Sequence, residues 1–336
     1  MKGEIHVVVQ NRRVRFEFDL HRNITVVRGD SATGKTKLVS MIDTYANSGV
    51  SSGIDLICPK RCLTINNANW RAVIENTGDC VIFADEDVSA VKTVEFARAI
   101  QKTTHYYVFI TRENLSNLPY SVEEIYGIHT SGKYADLRRT YNSFYQLYSL
   151  DSKEVEQKAS RVIVEDSNSG FDFYRGVASE DIQVVSAGGK TKIRNILSDS
   201  DDGAGDTLIV ADGAAFGSEI GEMMLYIQRH SRVHLYLPES FEWTVLASGL
   251  IDGKRVSEIL QNPVNYIDSK EYFSWEQFFT RLLIQETKDT YLQYTKRKLN
   301  ENYLNPKEKT AILHVIRRIE KMLGIPHFND SVDMNL

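Results

Sequence analysis

Eight consecutive residues of this chain have the types and spacing needed to bind a phosphate chain. They follow the pattern G-x-x-x-x-G-K-T, and they are Gly29, Asp30, Ser31, Ala32, Thr33, Gly34, Lys35 and Thr36. In such a loop the backbone N–H groups surround the phosphates, the lysine reaches the β- and γ-phosphates, and the final hydroxyl contacts Mg²⁺. Lys35 and Thr36 stand at the positions for these last two roles. The pattern therefore predicts a site for ATP with Mg²⁺.

The segments on either side of this loop are those that the chemistry requires. Ile24–Val27 is an apolar, β-branched run that predicts a buried strand leading into the loop. Residues 37–42 continue as a helix, whose N-terminus adds its positive dipole end to the same anion. Upstream, residues 4–9 and 14–18 alternate in polarity around a short polar turn and predict a β-hairpin.

Two further strand ends carry polar side chains suited to nucleotide chemistry. The run Val81–Ala84 is followed by Asp85 and Glu86, of which the first would hold Mg²⁺ or its water shell and the second would orient and deprotonate water. The run Tyr106–Ile110 is followed by Thr111 and Arg112. Ligands of open α/β sheets lie beyond the carboxyl ends of the strands, so this pair would sense the γ-phosphate, unless it is only an exposed strand end.

A second acidic set follows a repeated strand, loop and helix pattern over residues 160–262. Three such units imply a parallel sheet with a site at its strand ends. Glu165 ends the first predicted strand and Asp212 ends the third. Further acids near these ends are Asp166, Glu219, Glu239 and Glu242. A Gly-Gly turn before Lys190, at the second strand end, could approach a phosphate.

Composition narrows the class of protein. The chain has 336 residues, 42% of them hydrophobic, and a net charge of −5, so the overall charge does not imply a nucleic-acid partner. Its sequence contains neither a membrane-spanning run nor the layout of a signal peptide, and we expect a cytoplasmic protein without a membrane partner. Cys58, Cys62 and Cys80 are interpreted as free thiols, because no second Cys or His pair completes a zinc site.

The last segment, residues 263–336, is predicted to be helical. A capping box at Ser274 and Gln277 opens one helix, and Asn305-Pro306 opens another. Residues 281–321 contain ten Lys or Arg against five Asp or Glu. The basic residues of these helices would bind the phosphate backbone of a nucleic acid, or they lie on ordinary solvated helix faces.

The motifs of residues 4–130, GDSATGKT, VIFADE and VFITRE, resemble those of P-loop ATPases whose Walker B strand ends in Asp-Glu, including the ABC-type ATPases of DNA repair and phage defence. About fifty residues separate the two Walker motifs, which leaves no room for the long helical arm of the repair enzymes. The segment also lacks an LSGG-like signature, and Arg112 stands where that family usually has a histidine. The sequence leaves open whether the chain forms a homo-oligomer.

The acids of residues 160–262 resemble the Toprim domain of topoisomerases, primases and OLD-family nucleases. In that family a strand-end Glu acts as general acid or base, and Asp-x-Asp-x-x-Gly after the third strand binds the metal. Glu165 matches the first motif, and 212–217 matches the second except that Ala214 replaces its second Asp. The resemblance implies that Glu165, Asp212 and Glu242 bind Mg²⁺, or Mn²⁺ instead, since OLD-type domains often have a further acid at the position of Glu242.

Together these features predict an α/β protein with two Rossmann-like parallel-sheet domains. Residues 1–148 would form a P-loop ATPase domain, 160–262 a Toprim-like domain and 263–336 a helical region. The expected function is an ATP-regulated, metal-dependent nuclease of OLD-like type in phage defence or mobile-element biology, with DNA favoured over RNA. The alternatives are an ATP-switched binding protein whose Toprim-like domain is inactive, as Ala214 would permit, and a small-molecule P-loop kinase.

Overall fold

A computed structural model of the chain describes residues 2–29, 34–131, 139–148, 157–198 and 205–325. The protein is α/β, as its sequence predicts. It divides into two compact units, of which the first comprises Met1–Ser149 with Gln261–Trp275 and the second Leu150–Leu260 with Glu276–Leu336. Residues 263–336, which we expected to form one helical region, are thus shared between the units. Within the described residues, no helix is long and apolar enough to cross a membrane.

The described part of the first unit contains a nine-stranded sheet. Its strands are β1 (Ile5–Gln10), β2 (Val14–Leu20), β3 (Ile24–Val27), β4 (Asp55–Ile57), β5 (Cys62–Ile65), β6 (Val81–Ala84), β7 (Tyr106–Ile110), β8 (Ile125–Ser131) and β9 (Thr140–Gln146). Their order across the sheet is β4-β1-β2-β9-β8-β3-β7-β6-β5. The five strands from β8 to β5 run parallel, and β1 pairs antiparallel with β2 as the predicted hairpin.

Three helices accompany this sheet in the described residues: α1 (Lys35–Ser48), α2 (Trp70–Asn76) and α3 (Val94–Ile100). All residues of β3, β6 and β7 are buried, as expected for central parallel strands, which read as continuous apolar runs. Leu38 and Ile42 of α1 join Phe83 and Val108 of the sheet in one hydrophobic core. This core fixes α1, and with it Lys35 at its first position, against the strands.

The second unit contains a four-stranded sheet in its described part. Its strands are β10 (Ala159–Val164), β11 (Gln183–Ser186), β12 (Asp206–Val210) and β13 (Val233–Tyr236), which run parallel in the order β11-β10-β12-β13. Its helices are α4 (Ser169–Val177), α5 (Ile193–Ser198), α6 (Gly217–Arg229), α7 (Phe241–Ala247), α8 (Lys254–Gln261), α9 (Trp275–Glu286) and α10 (Pro306–Val315). Because all four strands are parallel, their carboxyl ends meet at one edge.

Candidate functional site

The glycine-rich loop lies between β3 and α1, as its pattern predicts. Gly29 follows the strand with φ of 129°, and Gly34 precedes the helix with φ of 86°. Both values lie in the region that glycine adopts without the penalty of a side chain. An added Cβ at Gly34 would also meet the ring of Phe16 at 3.3 Å. Asp30, Ser31, Ala32 and Thr33 lie outside the described residues.

Lys35 is buried at the first position of α1, and its Nζ donates a hydrogen bond to the carbonyl oxygen of Gly29 at 2.8 Å. The ammonium group therefore reaches back to the start of the loop that a phosphate chain would fill. Thr36, the next residue, is exposed in the first turn of the helix. The two residues that the motif singles out thus begin α1 directly after Gly34.

Strand order brings the remaining predicted nucleotide residues next to this loop. β7 lies between β3 and β6, with Val27 opposite Ile110 and Ala84 opposite Phe109. The backbone N–H of Thr111 donates to the carbonyl oxygen of Val27 at 3.2 Å. Asp85, Thr111 and Gly29 consequently stand close to the carboxyl ends of three adjacent strands.

Glu86 and Arg112, predicted for water activation and phosphate sensing, contact each other. Arg112 Nε lies 3.3 Å from Glu86 Oε2. The side chain of Asp85 turns toward the backbone, where its Oδ1 accepts a hydrogen bond from the Glu86 N–H at 2.9 Å. A cation and a carboxylate thus face each other after two adjacent strands, β6 and β7.

Arg28 is a buried residue of this region that the sequence analysis did not identify. One nitrogen of its guanidinium, Nη2, donates to the hydroxyl of Tyr120 at 2.8 Å and to Asn114 Oδ1 at 2.9 Å. These contacts join the start of the phosphate loop to the segment that follows β7. The signal in the sequence was a charge placed directly between a buried strand and Gly29.

In the second unit the structure brings Glu165 and Asp212 together. β10 and β12 are neighbours, and the Asp212 N–H donates to Glu165 Oε2 at 3.1 Å. Burial, together with the carboxylates of Glu276 and Asp166, raises the pKa of Glu165 to about 7 despite the hydrogen bond from the Asp212 N–H, which lowers it. Burial also raises the pKa of Asp212 well above its usual range. Both groups therefore hold their protons more tightly than exposed carboxyls do.

Ala214, which stands in place of the second Asp of the motif, is a buried side chain. Its N–H donates to the carbonyl oxygen of Glu239 at 3.1 Å, and the N–H of Gly213 donates to that of Pro238 at 2.7 Å. A Cβ on Gly213 would lie 3.0 Å from the same Pro238 oxygen. The loop after β12 is thus tied to the segment after β13.

Glu242, predicted as a metal ligand, is buried in α7 and has protein partners. It accepts a hydrogen bond from the Tyr294 hydroxyl at 2.9 Å, and Lys296 Nζ lies 3.8 Å from the same oxygen. Lys296 also forms an ion pair with Glu276. The backbone carbonyl of Lys296 accepts from the N–H of Ser169, which anchors this segment to the start of α4.

Sequence reasoning missed Glu276, Tyr294 and Lys296 because only the tertiary fold brings them to the acids. Lys190, which the sequence analysis did single out, also lies near Glu165: its Nζ donates to the carbonyl oxygen of Ala215 at 2.5 Å, and burial lowers its pKa. Of the other acids singled out, Asp166 accepts the N–H of Phe171 at 3.0 Å. Asp166 thus stabilises the start of α4.

A small cavity of about 20 Å³ lies between Glu165, Asp166 and Asp212, enough for about one water molecule. Tyr174 lines it, is only 2% exposed, and has a hydroxyl without a hydrogen-bond partner among the described residues. Mg²⁺ usually takes one or two protein carboxylates together with several waters, so Glu165 and Asp212 are the side chains that would hold such an ion, although the cavity itself has room for about one water and is lined mostly by apolar atoms. Among the described residues, no three His, Cys, Asp or Glu side chains are arranged to hold an ion.

Comparison of the chain with protein-family models, with curated proteins and with solved structures gives no match. Inferences about its function therefore rest on the side chains described above and on the strand ends that position them.

Proposed function

We propose that this protein binds and hydrolyses ATP in its first unit, and that the nucleotide state controls a metal-dependent phosphodiester reaction on nucleic acid in its second. In this proposal the units are a P-loop ATPase module and a Toprim-like domain, both Rossmann-like, as in OLD-family nucleases. One observation carries it furthest: β7 lies between β3 and β6, so the glycine-rich loop, Asp85 and Thr111 occupy adjacent strand ends.

For ATP hydrolysis, Lys35 would exchange the Gly29 carbonyl for the β- and γ-phosphates, which are stronger acceptors for an ammonium group. Thr36 and Asp85 would hold the Mg²⁺ that accompanies ATP, and this ion would screen the phosphate charge. Once the γ-phosphate attracts Arg112, the carboxylate of Glu86 is released to take a proton from the attacking water.

For the phosphodiester reaction, Glu165 would transfer the proton, because a pKa of about 7 suits an acid or base near neutral pH. Glu165 and Asp212 would hold one Mg²⁺ or Mn²⁺, and substrate phosphate and water would complete its coordination. A bound divalent cation supplies charge stabilisation for the phosphate. Lys190 is a further cation near Glu165 that would face a phosphate at the same edge.

The second candidate is an ATP-switched nucleic-acid-binding or regulatory protein whose second unit is catalytically silent. Two observations favour it. Ala214 removes one carboxylate of the metal motif, and Glu242 is held by Tyr294 and Lys296. Both candidates share the first unit, so experiments on the two units separate them.

ATP hydrolysis by the purified chain with Mg²⁺ tests the first unit. Lys35→Ala should abolish ATP binding and phosphate release, whereas Lys37→Ala, which removes an exposed lysine of the same helix, should change neither. An equal rate in both variants would refute the ATPase. Phosphate transfer to a nucleoside without net hydrolysis would instead favour a kinase.

Cleavage of supercoiled plasmid and of RNA, with Mg²⁺ or Mn²⁺ and with or without ATP, tests the second unit. Glu165→Ala should abolish cleavage, and Glu180→Ala, which removes an exposed carboxylate, should leave it unchanged. Intact substrate under all conditions, together with normal ATP hydrolysis, would reject the nuclease and favour the silent regulatory form.

A further inference from the structure

Two of the three cysteines lie together at a turn of the first unit. Cys58 follows β4, Cys62 is the first residue of β5, and only three residues separate them. Each thiol is near enough to the other to shift its pKa. Both sulfurs also approach the backbone of Lys60, whose N–H donates to Cys58 Sγ at 3.5 Å and whose carbonyl oxygen lies 3.8 Å from Cys62 Sγ. The turn thus holds two free thiols side by side.

The surroundings of the two sulfurs differ in a way that assigns them different chemistry. Cys58 is partly exposed, whereas Cys62 is only 5% exposed. The neighbouring Cys62 thiol, together with the amide and ammonium groups of Lys60, lowers the pKa of Cys58 to about 7, although burial acts in the opposite direction. The neighbouring Cys58 thiol and burial raise the pKa of Cys62. Reactive cysteines have such accessible, electropositive surroundings, because the thiolate is the nucleophile.

We propose that Cys58 and Cys62 form a site of oxidative modification by hydroperoxides, in which Cys58 is the attacking sulfur and Cys62 the resolving one. The Cys58 thiolate attacks one peroxide oxygen, the O–O bond breaks, and the leaving hydroxide takes up a proton, so that Cys58 becomes a sulfenic acid. The Cys62 sulfur then attacks the Cys58 sulfur, and the S–O bond breaks. The hydroxyl leaves as water with the Cys62 proton. The two thiols together lose two electrons, and hydrogen peroxide accepts them and is reduced to two waters.

Cys80 is a third thiol of the same unit that should stay reduced. It is buried, its Sγ lies 2.9 Å from the carbonyl oxygen of Gly78, and burial raises its pKa. A buried thiol that holds its proton reacts slowly with peroxide, because little thiolate is present and access is restricted. The chain therefore contains its own reference cysteine for the experiment.

The test treats the full-length reduced protein with hydrogen peroxide and counts thiols after quenching and denaturation. The count should fall from three to one, and the intact mass should fall by two hydrogens. Peptide mapping should join Cys58 to Cys62 within one chain. A protein that keeps all its thiols at peroxide doses that oxidise free glutathione would overturn the proposal, as would a bridge to Cys80 or between chains.

Three single variants assign the roles, after thermal melting has verified that each is folded. Cys80→Ser should lose both remaining thiols at the wild-type rate. Cys58→Ser should keep both of its thiols, and their loss at the wild-type rate would refute Cys58 as the attacking sulfur. Cys62→Ala, in which resolution is blocked, should stop at a Cys58 sulfenic acid that dimedone labels. If dimedone labels Cys80 instead, the assignment fails. None of these measurements depends on ATP or nucleic acid.

Discussion

Glu86 and Arg112 form an ion pair beside the phosphate loop, with Arg112 Nε 3.3 Å from Glu86 Oε2. Their side chains are 46% and 55% exposed, so solvent screens the pair and little free energy is needed to open it. A γ-phosphate carries more charge than the carboxylate and would attract Arg112 away from it. The pair is therefore suited to hold Glu86, the proposed general base, until a nucleotide is bound.

Glu86→Gln should reduce kcat for ATP hydrolysis by about 100-fold or more, because it removes the proton acceptor for the attacking water. ATP affinity should not fall, since Lys35 and the loop are unchanged. Steady-state phosphate release and titration with a fluorescent ATP analogue measure the two quantities. Glu75→Gln, at an exposed position of α2, is the control. Unaltered turnover in Glu86→Gln would remove this residue from the reaction.

Because of the Glu165 carboxyl, the free energy of unfolding should fall as the pH rises from about 4.5 to about 7. Its folded-state pKa is raised from 4.5 to about 7, so the native state keeps a proton that the unfolded chain loses in this window. The contribution of Glu165 to the free energy of unfolding is complete below its unfolded-state pKa and is lost as the pH passes its folded-state pKa. The change is about 3 kcal/mol at most. Urea unfolding of wild type and Glu165→Gln at a series of pH values measures it.

The variant should show a flatter dependence on pH than the wild type in that window, because glutamine does not titrate. Glu180→Gln, which changes an exposed side chain of the same unit, should follow the wild-type curve. Parallel curves for all three proteins would show that the Glu165 carboxyl titrates normally.

Tyr174→Phe should weaken binding of Mn²⁺ by about tenfold, in the range found when a group that hydrogen bonds to a metal's ligands is removed. Tyr174 lines the same cavity as Glu165 and Asp212, and its buried hydroxyl, which has no partner among the described residues, would donate to a water of the ion. Mn²⁺ titration followed by electron paramagnetic resonance gives the affinity.

The matched control is Tyr303→Phe, which removes a buried hydroxyl that donates to the carbonyl oxygen of Leu292 at 2.7 Å. This change should lower stability without changing the affinity for Mn²⁺. An unchanged affinity in Tyr174→Phe, together with a higher melting temperature, would mean that the Tyr174 hydroxyl is an unsatisfied buried group with no role toward the ion.

Lys296→Met should destabilise the protein by about 2 kcal/mol, since it leaves the buried Glu242 carboxylate without its cation. The effect is smaller than for a fully buried pair, because the lysine side chain is 35% exposed. Added Mg²⁺ should raise the melting temperature of this variant more than that of the wild type, as a second cation replaces the first. Lys288→Met, at an exposed position, serves as control. An equal response to Mg²⁺ in all three proteins would argue against a shared cation position.

The parts of the fold that follow from local patterns were predictable. The apolar runs of β3, β6 and β7 predict buried strands, and the G-x-x-x-x-G-K-T spacing predicts the turn between strand and helix. The strand order was not predictable in detail, because the insertion of β7 between the two motif strands is a matter of long-range pairing. Contact between Glu86 and Arg112 depends on that insertion.

The acidic site was predictable only in part. Glu165 and Asp212 each end a strand of the same repeated pattern, and parallel pairing brings such ends together. Glu242 could be identified as an acid near the same edge but not as a partner of Tyr294 and Lys296. Those two residues lie over fifty positions away along the chain, and periodicity says which face of a segment is apolar, not what it packs against.

The second unit is discontinuous, since residues 261–275 belong to the first unit and the chain then returns at Glu276. During synthesis Glu165, Asp212 and Glu242 emerge from the ribosome well before Lys296. A growing chain that has reached only residue 275 carries Glu165, Asp212 and Glu242 without the lysine that pairs with Glu242. Folding of this unit therefore requires the segment around Lys296, and we expect ribosome-stalled chains ending before Lys296 to remain sensitive to protease in the α7 region.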